Sequence, residues 1–297
     1  MAEIDLSIVI VSYNTKKATL ECIDSVVKSL KNSKLNYEII VLDNASTDGS
    51  LNELMNYELR ITNLKVVENK ENLGFGRANN HGVKLAKGTY VLLLNSDTIV
   101  LDNAIETLFR KIESDSDVHF IGAKLLNSDK SPQPSCGPFY TLPVIFGALF
   151  LKGDYWGLTR TSPGGFEKVD WISGACIMTR KKDYETLGGF DEGIFMYMEE
   201  IDLLMRARKH KMNTYVLSDA IIIHHGSLSS GGRTYPILQV YKGFLFLYKK
   251  HGSTWQLFCL KSMLQLKALV SIFIGRITKN KYLLETYAKA YQMVQTS

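Results

Sequence analysis

The sequence predicts an α/β protein, a doubly wound and mainly parallel sheet flanked by helices, and three observations predict it. Short β-branched runs alternate with helical patterns at the spacing of βαβ units, the early strands run into clusters of polar turn residues, and the composition is that of a packed chain. With 297 residues, 45% hydrophobic and 22% charged, the chain is too apolar for disorder and too charged for a polytopic membrane protein. One large domain with an appendage and two domains both fit this length.

Residues 7–11 read as a buried first strand, followed by Tyr13-Asn14-Thr15 and a helical pattern through Leu20, Ile23, Val26, Val27 and Leu30. A second strand over residues 37–42 ends in Asp43-Asn-Ala-Ser-Thr-Asp-Gly-Ser50, turn and capping residues that open a helix at Leu51. Residues 64–68 form a third strand, 74–86 a loop and helix, and 90–94 a fourth strand that runs into Asn95-Ser96-Asp97. The second half is less regular. Pro-rich and Gly-rich stretches at 131–143 and 162–165 precede a strand-like segment at 169–179, a helix opening at Glu199-Glu200-Ile-Asp202, and apolar runs at 215–216 and 220–223 that lead into His224-His225.

Several classes are excluded by what is missing. The four cysteines, Cys22, Cys136, Cys176 and Cys259, form no Cys-x-x-Cys pair, so zinc-ribbon and thioredoxin-like sites have no basis, and a reduced, cytoplasmic compartment is expected. The N-terminal segment carries acids where a signal peptide needs positive charge. The longest uncharged stretch, 131–151, is broken by Pro132, Pro134, Pro138 and Pro143, and no transmembrane segment is expected. Gly74-Phe-Gly76 is an isolated fragment of the dinucleotide fingerprint and a Walker-type loop is lacking, so a bound nucleotide would be held by side chains and turn amides.

In a doubly wound sheet the ligand crevice lies beyond the carboxyl ends of the strands, which is where Tyr13/Asn14, Asp43 to Asp48 and Asn95 to Asp97 fall. An aspartate placed like Asp43 can accept from the imide N–H of a pyrimidine or cap the following helix, and position alone leaves both open. Asp97 at the mouth of the sheet can help to bind Mg²⁺ or Mn²⁺ together with diphosphate oxygens and one more protein ligand, or simply end the strand. Crowding Glu199, Glu200 and Asp202 raises at least one pKa, which suits a general base, while acids at a helix N-terminus are also favourable for structural reasons alone. A neutral imidazole from His224 or His225 could complement Asp97, and since strand neighbours point to opposite faces, one of the two at most faces a given site.

In order and spacing these segments resemble the family 2 glycosyltransferases, particularly the bacterial polysaccharide group that includes rhamnosyltransferases. The matching pieces are Ser7-Ile-Val-Ile-Val-Ser-Tyr-Asn14, Asp43-Asn-Ala-Ser-Thr-Asp48, Asn72-Leu-Gly-Phe-Gly-Arg-Ala-Asn79, Leu92-Leu-Leu-Asn-Ser-Asp97, Gly174-Ala-Cys-Ile-Met178, Gly189-Phe-Asp-Glu192, Tyr197-Met-Glu-Glu-Ile-Asp-Leu203 and then His224. Each motif is weak, and their colinearity over roughly residues 5–230 is what carries the resemblance.

The resemblance implies a GT-A fold, inverting transfer from a nucleoside diphosphate sugar (dTDP-rhamnose or a UDP-hexose), and Mg²⁺ or Mn²⁺. It places Val11, Tyr13, Asn14, Asp43, Ser46, Asp48, Asn72, Gly74, Arg77, Asn95, Ser96, Asp97 and Gly174 around the nucleotide sugar, with Asp43 facing the pyrimidine. Asn95 to Asp97 corresponds to the metal-binding Asp-x-Asp, with Asn in place of the first Asp, and His224 to the later metal ligand. Glu200 stands where many relatives have the Asp of a Glu-Asp pair, the catalytic base, with Glu199 beside it as the other candidate. Residues 1–100 would then be the nucleotide-sugar half, 101–236 the acceptor and catalytic half, and 237–297 a basic, amphipathic helical extension.

From 237 to 297 nine Lys or Arg stand against one acid, Glu285, a net of +8, and the first 236 residues carry the remaining −3 of the chain's +5. With Trp255, Phe258, Leu260, Leu264, Leu269, Ile272 and Phe273 among these cations, the extension suits a helix lying on anionic lipid, or a cap packed on the main domain. With the resemblance it implies a polyprenyl-diphosphate-linked or glycan acceptor, a peripheral seat on the cytoplasmic face of the inner membrane, and no nucleic-acid partner. Self-association through the apolar tail is left open. The rival readings are a non-enzymatic basic membrane- or nucleic-acid-binding module and a sugar-nucleotide pyrophosphorylase, the latter opposed by the absence of glycine and base in Val11-Ser-Tyr-Asn-Thr15.

Overall fold

The computed structural model describes residues 3–226 and 234–297. It comprises two compact units, one of Met1–Pro138, Arg160–Phe195 and Glu199–Ser229, the other of Phe139–Thr159, Met196–Met198 and Ser230–Ser297.

The first unit is built on a mixed sheet. Strands β1 (Leu6–Ser12), β2 (Tyr37–Asp43), β3 (Leu64–Glu68) and β4 (Tyr90–Asn95) are connected by helices α1 (Lys16–Leu30), α2 (Ser50–Glu58) and α3 (Phe75–Leu85), and all four run parallel in the order β3-β2-β1-β4. The chain therefore winds outward from β1 to β3 and then crosses back to the other side of β1. That reversal creates a crevice at the carboxyl ends of β1 and β4.

Helices cover these strands, which is why Val91 to Leu94 of β4 are all buried and read as an unbroken apolar run without alternation. Helix α1 buries Thr19, Cys22, Ile23, Val26 and Leu30, a stripe with the 3.6-residue period, against a core that includes Ile8, Ile10, Ile39, Val41, Leu92 and Leu94.

Beyond β4 the sheet departs from a simple parallel pattern. After β5 (Thr98–Val100) and helix α4 (Ala104–Ser114), the nine-residue strand β6 (Val118–Leu126) returns through the hairpin partner β7 (Pro132–Gln133) to β8 (Cys136–Gly137). The second unit's helix α5 (Leu142–Phe150) precedes β9 (Phe166–Val169), β10 (Trp171–Ile172) and β11 (Cys176–Arg180), then α6 (Lys181–Thr186), α7 (Glu199–Lys209) and β12 (Asn213–His224). The order continues β4-β11-β6-β12-β5, with β11 antiparallel to both neighbours and β12 parallel to β6.

The single strand-like segment expected at 169–179 is split by Ser173-Gly174-Ala175. The two apolar runs at 215–216 and 220–223 belong to one strand whose pairing with β6 shifts register between Leu217 and Ile221.

Helix α7 carries Glu199, Glu200 and Asp202 in its first turn and Arg206, Arg208 and Lys209 in its last, a charge order that complements its dipole. Asp202 is fully buried and holds Nε of Arg206 at 2.8 Å, while the same guanidinium donates to the carbonyls of Leu187 and, at 2.7 Å, Gly189. The Gly188-Gly189 turn is thereby fixed to the helix that carries the acids.

In the second unit, α5 joins α8 (Thr234–His251), α9 (Thr254–Ile277) and α10 (Lys281–Thr296). A reciprocal capping box between Ser253 and Gln256 starts α9, and Asn280 caps α10. Helix α9 buries Leu260, Leu264, Ala268, Ser271 and Gly275 along one stripe and leaves Trp255, Phe258, Leu266, Leu269, Phe273 and Ile277 exposed. Lys267 turns inward, where Nζ donates to the Leu149 carbonyl of α5 at 2.8 Å.

By length and composition alone α9 is apolar enough to cross a membrane, with 22% of its most apolar 18-residue window buried. The sequence reading did not single this segment out. Lys261 and Lys267 interrupt the apolar run and conceal it from a search for uncharged stretches.

Candidate active site

The loops after β1, β2 and β3 are tied together by asparagines. Asn14, in the left-handed region at φ 52°, donates its backbone N–H to Oγ of Ser46 at 2.9 Å and accepts from the Thr47 N–H at 2.7 Å. Asp48 accepts from the backbone N–H of Lys16 at 3.1 Å and of Ser50 at 3.0 Å. Asn44, which sequence reasoning passed over beside Asp43, donates to Oδ1 of Asn72 at 2.9 Å and accepts from Leu73 N–H and Asn69 Nδ2, each at 3.1 Å. Oδ1 of Asn72 also accepts from the Gly74 N–H at 2.9 Å.

Asp43 is buried at the end of β2. One carboxylate oxygen accepts from the Ser46 N–H at 3.0 Å, closing a turn, and the other is buried without a hydrogen-bond partner. The residue before helix α2 is Gly49, so Asp43 does not cap that helix.

Gly74 has φ 78° and ψ 178°, a conformation open to glycine alone, and a Cβ there would stand 2.4 Å from the Phe195 carbonyl oxygen. Phe75 donates its N–H to that same oxygen at 3.0 Å. Arg77, on α3, pairs with Glu192 at 3.5 Å with both side chains about half exposed. Val11 of β1 lies in register between Leu42 and Asn95, and Tyr13 follows it half-buried.

The end of β4 carries the most concentrated chemistry. Antiparallel pairing of β12 with β5 sets His224 opposite Thr98, next to Asp97. Nε2 of His224 is 3.3 Å from Oδ1 of Asp97 and 3.3 Å from Nδ2 of Asn95, whose Oδ1 is buried without a partner. His225 points elsewhere, with Nδ1 2.8 Å from Oγ of Ser128, so the neighbour that joins Asp97 is His224. Oγ of Ser96 sits 3.1 Å from Oγ1 of Thr15, linking this loop to the one after β1.

Among the described residues no group of three or more His, Cys, Asp or Glu side chains is arranged to hold a metal ion by itself. One carboxylate oxygen and one imidazole nitrogen, 3.3 Å apart, nonetheless fit a divalent cation that completes its shell with diphosphate oxygens and water, and the unpartnered Oδ1 of Asn95 is the nearby polar atom still lacking a bond.

The loop before β11 connects this cluster to α7. Asn95 donates its N–H to the Ala175 carbonyl at 3.0 Å, and a Cβ on the adjacent Gly174 would lie 3.6 Å from the Phe75 ring and 3.9 Å from Cβ of Glu200. Glu199 is buried on the other side, where a Cβ on Gly76 would lie 3.8 Å from its Cβ. Burial, and then the neighbouring charge of Glu200, hold the Glu199 carboxyl well above the ordinary carboxylate range. Tyr197 and Met198, just before the helix, have φ 68° and 76°, the strained backbone that clusters at working sites.

The fold is thus a doubly wound sheet with a crevice at β1 and β4, an Asn-x-Asp at its mouth and an acid pair beyond a glycine loop. The chain belongs to glycosyl transferase family 2, whose family model matches residues 7–188.

The chain is similar to the glycosyltransferase GlyG of Streptococcus pneumoniae serotype 4, with 36% identity over 114 residues, 38% of this chain and 37% of that protein. It is also similar to the N-acetylglucosaminyl-diphospho-decaprenol L-rhamnosyltransferase of Mycobacterium tuberculosis, with 25% identity over 240 residues, 73% of this chain and 76% of that one. Its fold matches the crystal structure of GalNAc-T7 with UDP, GalNAc and Mn²⁺ at a TM-score of 0.63 and 16% identity, covering 83% of this chain and 48% of that one. The GT-A architecture expected from the sequence is borne out.

Proposed function

We propose that the protein is an inverting, metal-dependent glycosyltransferase. It would move a sugar, rhamnose from a dTDP-linked donor or a hexose from a UDP-linked one, to a hydroxyl of a growing, lipid-linked cell-surface glycan. The observation that carries this reading is the convergence of Asp97, Asn95 and His224 at the end of β4, joined through the Ser173–Ala175 loop to Glu199 and Glu200. The acceptor class is supported by the mycobacterial relative, which is named for adding rhamnose to a decaprenol-linked sugar.

In this reading Asn14, Ser46, Asp48 and Asn72 order the turns that hold the nucleotide, and the unpartnered oxygen of Asp43 takes the N–H of the pyrimidine ring. Asp97 and His224 would hold Mg²⁺ or Mn²⁺, which when bound neutralises the charge that builds on the departing diphosphate. Glu199, buried and with its carboxyl held above the usual range, retains the proton of the acid pair and leaves Glu200 to take one from the acceptor hydroxyl. The acceptor oxygen forms its bond to the anomeric carbon as the bond from that carbon to the diphosphate breaks, and configuration inverts.

The basic extension and the exposed aromatic face of α9 support a peripheral seat on the cytoplasmic face of the inner membrane, where such acceptors lie.

Calorimetric titration with UDP and with dTDP, each with and without Mn²⁺, tests the donor class. Metal-dependent binding of one nucleotide, followed by transfer from its sugar, is expected, and no binding of either to folded protein would overturn the reading. Co-sedimentation with phosphatidylglycerol vesicles tests the membrane seat. Replacing Trp255, Phe258 and Phe273 by Ser should release the protein from them, and unchanged sedimentation would refute it.

A further inference from the structure

The hairpin from β6 to β7 brings Gln133 against His224, and its carboxamide contacts that residue twice. Nε2 of Gln133 donates to the backbone carbonyl of His224 at 3.0 Å, and Oε1 lies 2.8 Å from Nδ1 of the same histidine's ring. The carbonyl oxygen can only accept, so the amide nitrogen is the atom facing it, and the atom facing the ring is the amide oxygen.

The same orientation is required from the other side. Nε2 of Gln133 also donates to Oδ1 of Asn127 at 2.9 Å, and the Asn127 amide nitrogen in turn faces Oγ of Ser131 at 2.9 Å and the Pro132 carbonyl at 3.5 Å. The proton arrangement is therefore fixed at both ends by main-chain oxygens. An amide oxygen has no proton to give, so the ring nitrogen facing it, Nδ1 of His224, must carry one. In the neutral ring, Nε2 is then the atom with the lone pair, and it is Nε2 that faces Asp97 and Asn95.

We propose that Gln133 is a positioning residue of the metal site, holding the neutral imidazole of His224 as the Nδ1–H tautomer so that Nε2 is presented to the cation before it arrives. The inference rests on the reading of Asp97 and His224 as metal ligands. It adds a partner from a different hairpin that no motif in the sequence marks. The backbone contact matters as much as the ring contact. By gripping the carbonyl and the ring of one residue, the carboxamide limits rotation of the side chain about both of its bonds, and a ligand ordered in advance loses less freedom on binding.

The test uses the full-length protein. In the metal-free wild type, ¹⁵N NMR of labelled histidine, with the His224 signal identified by its loss in His224→Ala, should show Nδ1 protonated and Nε2 bare. An Nε2–H majority overturns the proposal. Mn²⁺ affinity, read from the free-ion electron paramagnetic resonance signal, should weaken about 10- to 100-fold in Gln133→Leu, as for other partners that orient a metal-bound histidine. It should weaken less in Gln133→Glu, whose carboxylate still accepts from Nδ1–H but has no N–H for the His224 carbonyl.

Wild-type Mn²⁺ affinity in His224→Ala overturns the metal reading and this inference with it. Wild-type affinity in Gln133→Leu beside a weakened His224→Ala overturns the inference alone. Equal weakening in Gln133→Leu and Gln133→Glu, with the wild-type tautomer lost in neither, assigns Gln133 a purely structural role and also overturns it.

Discussion

Nε2 of His224 stands 3.3 Å from Oδ1 of Asp97 because two strands far apart in the chain, β5 and β12, pair antiparallel and bring their ends level. Neither residue is a complete site, and their value lies in the pairing.

Asp97→Ala should therefore abolish the Mn²⁺-dependent part of nucleotide binding and lower turnover about 100-fold or more, the scale of losing one preorganised electrostatic contact to a developing anion. The carboxylate lies at the crevice mouth and takes no part in the apolar core, so the melting temperature should stay close to wild type. Calorimetry with and without Mn²⁺, together with a thermal melt, checks both halves.

Glu200→Gln should reduce kcat by about 10²- to 10⁴-fold, the range for removing a general base, with donor affinity almost unchanged. Glu199→Gln, which mimics the protonated carboxyl the fold already favours, should lose much less. If the two results are exchanged, the base is Glu199, and steady-state kinetics on both variants decide it.

The raised pKa of Glu199 also makes a statement about stability. The folded protein holds this proton above the pH at which the unfolded chain releases it, so stability is full below the ordinary carboxylate pKa of 4.5 and declines as pH rises from there through the folded-state value. Glu199→Gln removes that decline. The difference in melting temperature, variant minus wild type, should grow from pH 4.5 upward and then level off; a flat difference would show that the carboxyl titrates normally.

Gly74→Ala should destabilise the fold by about 3 kcal/mol, since it combines a backbone conformation forbidden to other residues with a Cβ pressed 2.4 Å from the Phe195 carbonyl. Gly165→Ala, where a Cβ meets nothing within 4 Å, should change stability by less than about 0.5 kcal/mol. Urea unfolding of the pair gives the comparison.

The first four strands were legible because each is a short apolar run closed by turn residues, and Asn14, Asp43 and Asp97 were legible because they stand at or just after the ends of those runs. Strand β6 carried the same kind of signal, since Val118-His-Phe-Ile-Gly-Ala-Lys-Leu-Leu126 runs into the turn residues Asn127-Ser-Asp129, and it was passed over; what leaves no local trace is the reversed insertion of β11 beside it. Gln133 was invisible for a related reason, since its partner is reached only through the β6–β7 hairpin and the β6–β12 pairing. The choice of His224 over His225 likewise needed the register of β12, which alternation alone does not supply.

The reversal of strand order has a consequence for how the chain is made. While residues up to about 100 emerge from the ribosome, four parallel strands and the asparagine-linked turns can already assemble, but β5 has no neighbour until β12 has been synthesised. Asp97 thus waits for His224, and the 3.3 Å approach of the two side chains is completed only after about 130 further residues have been made.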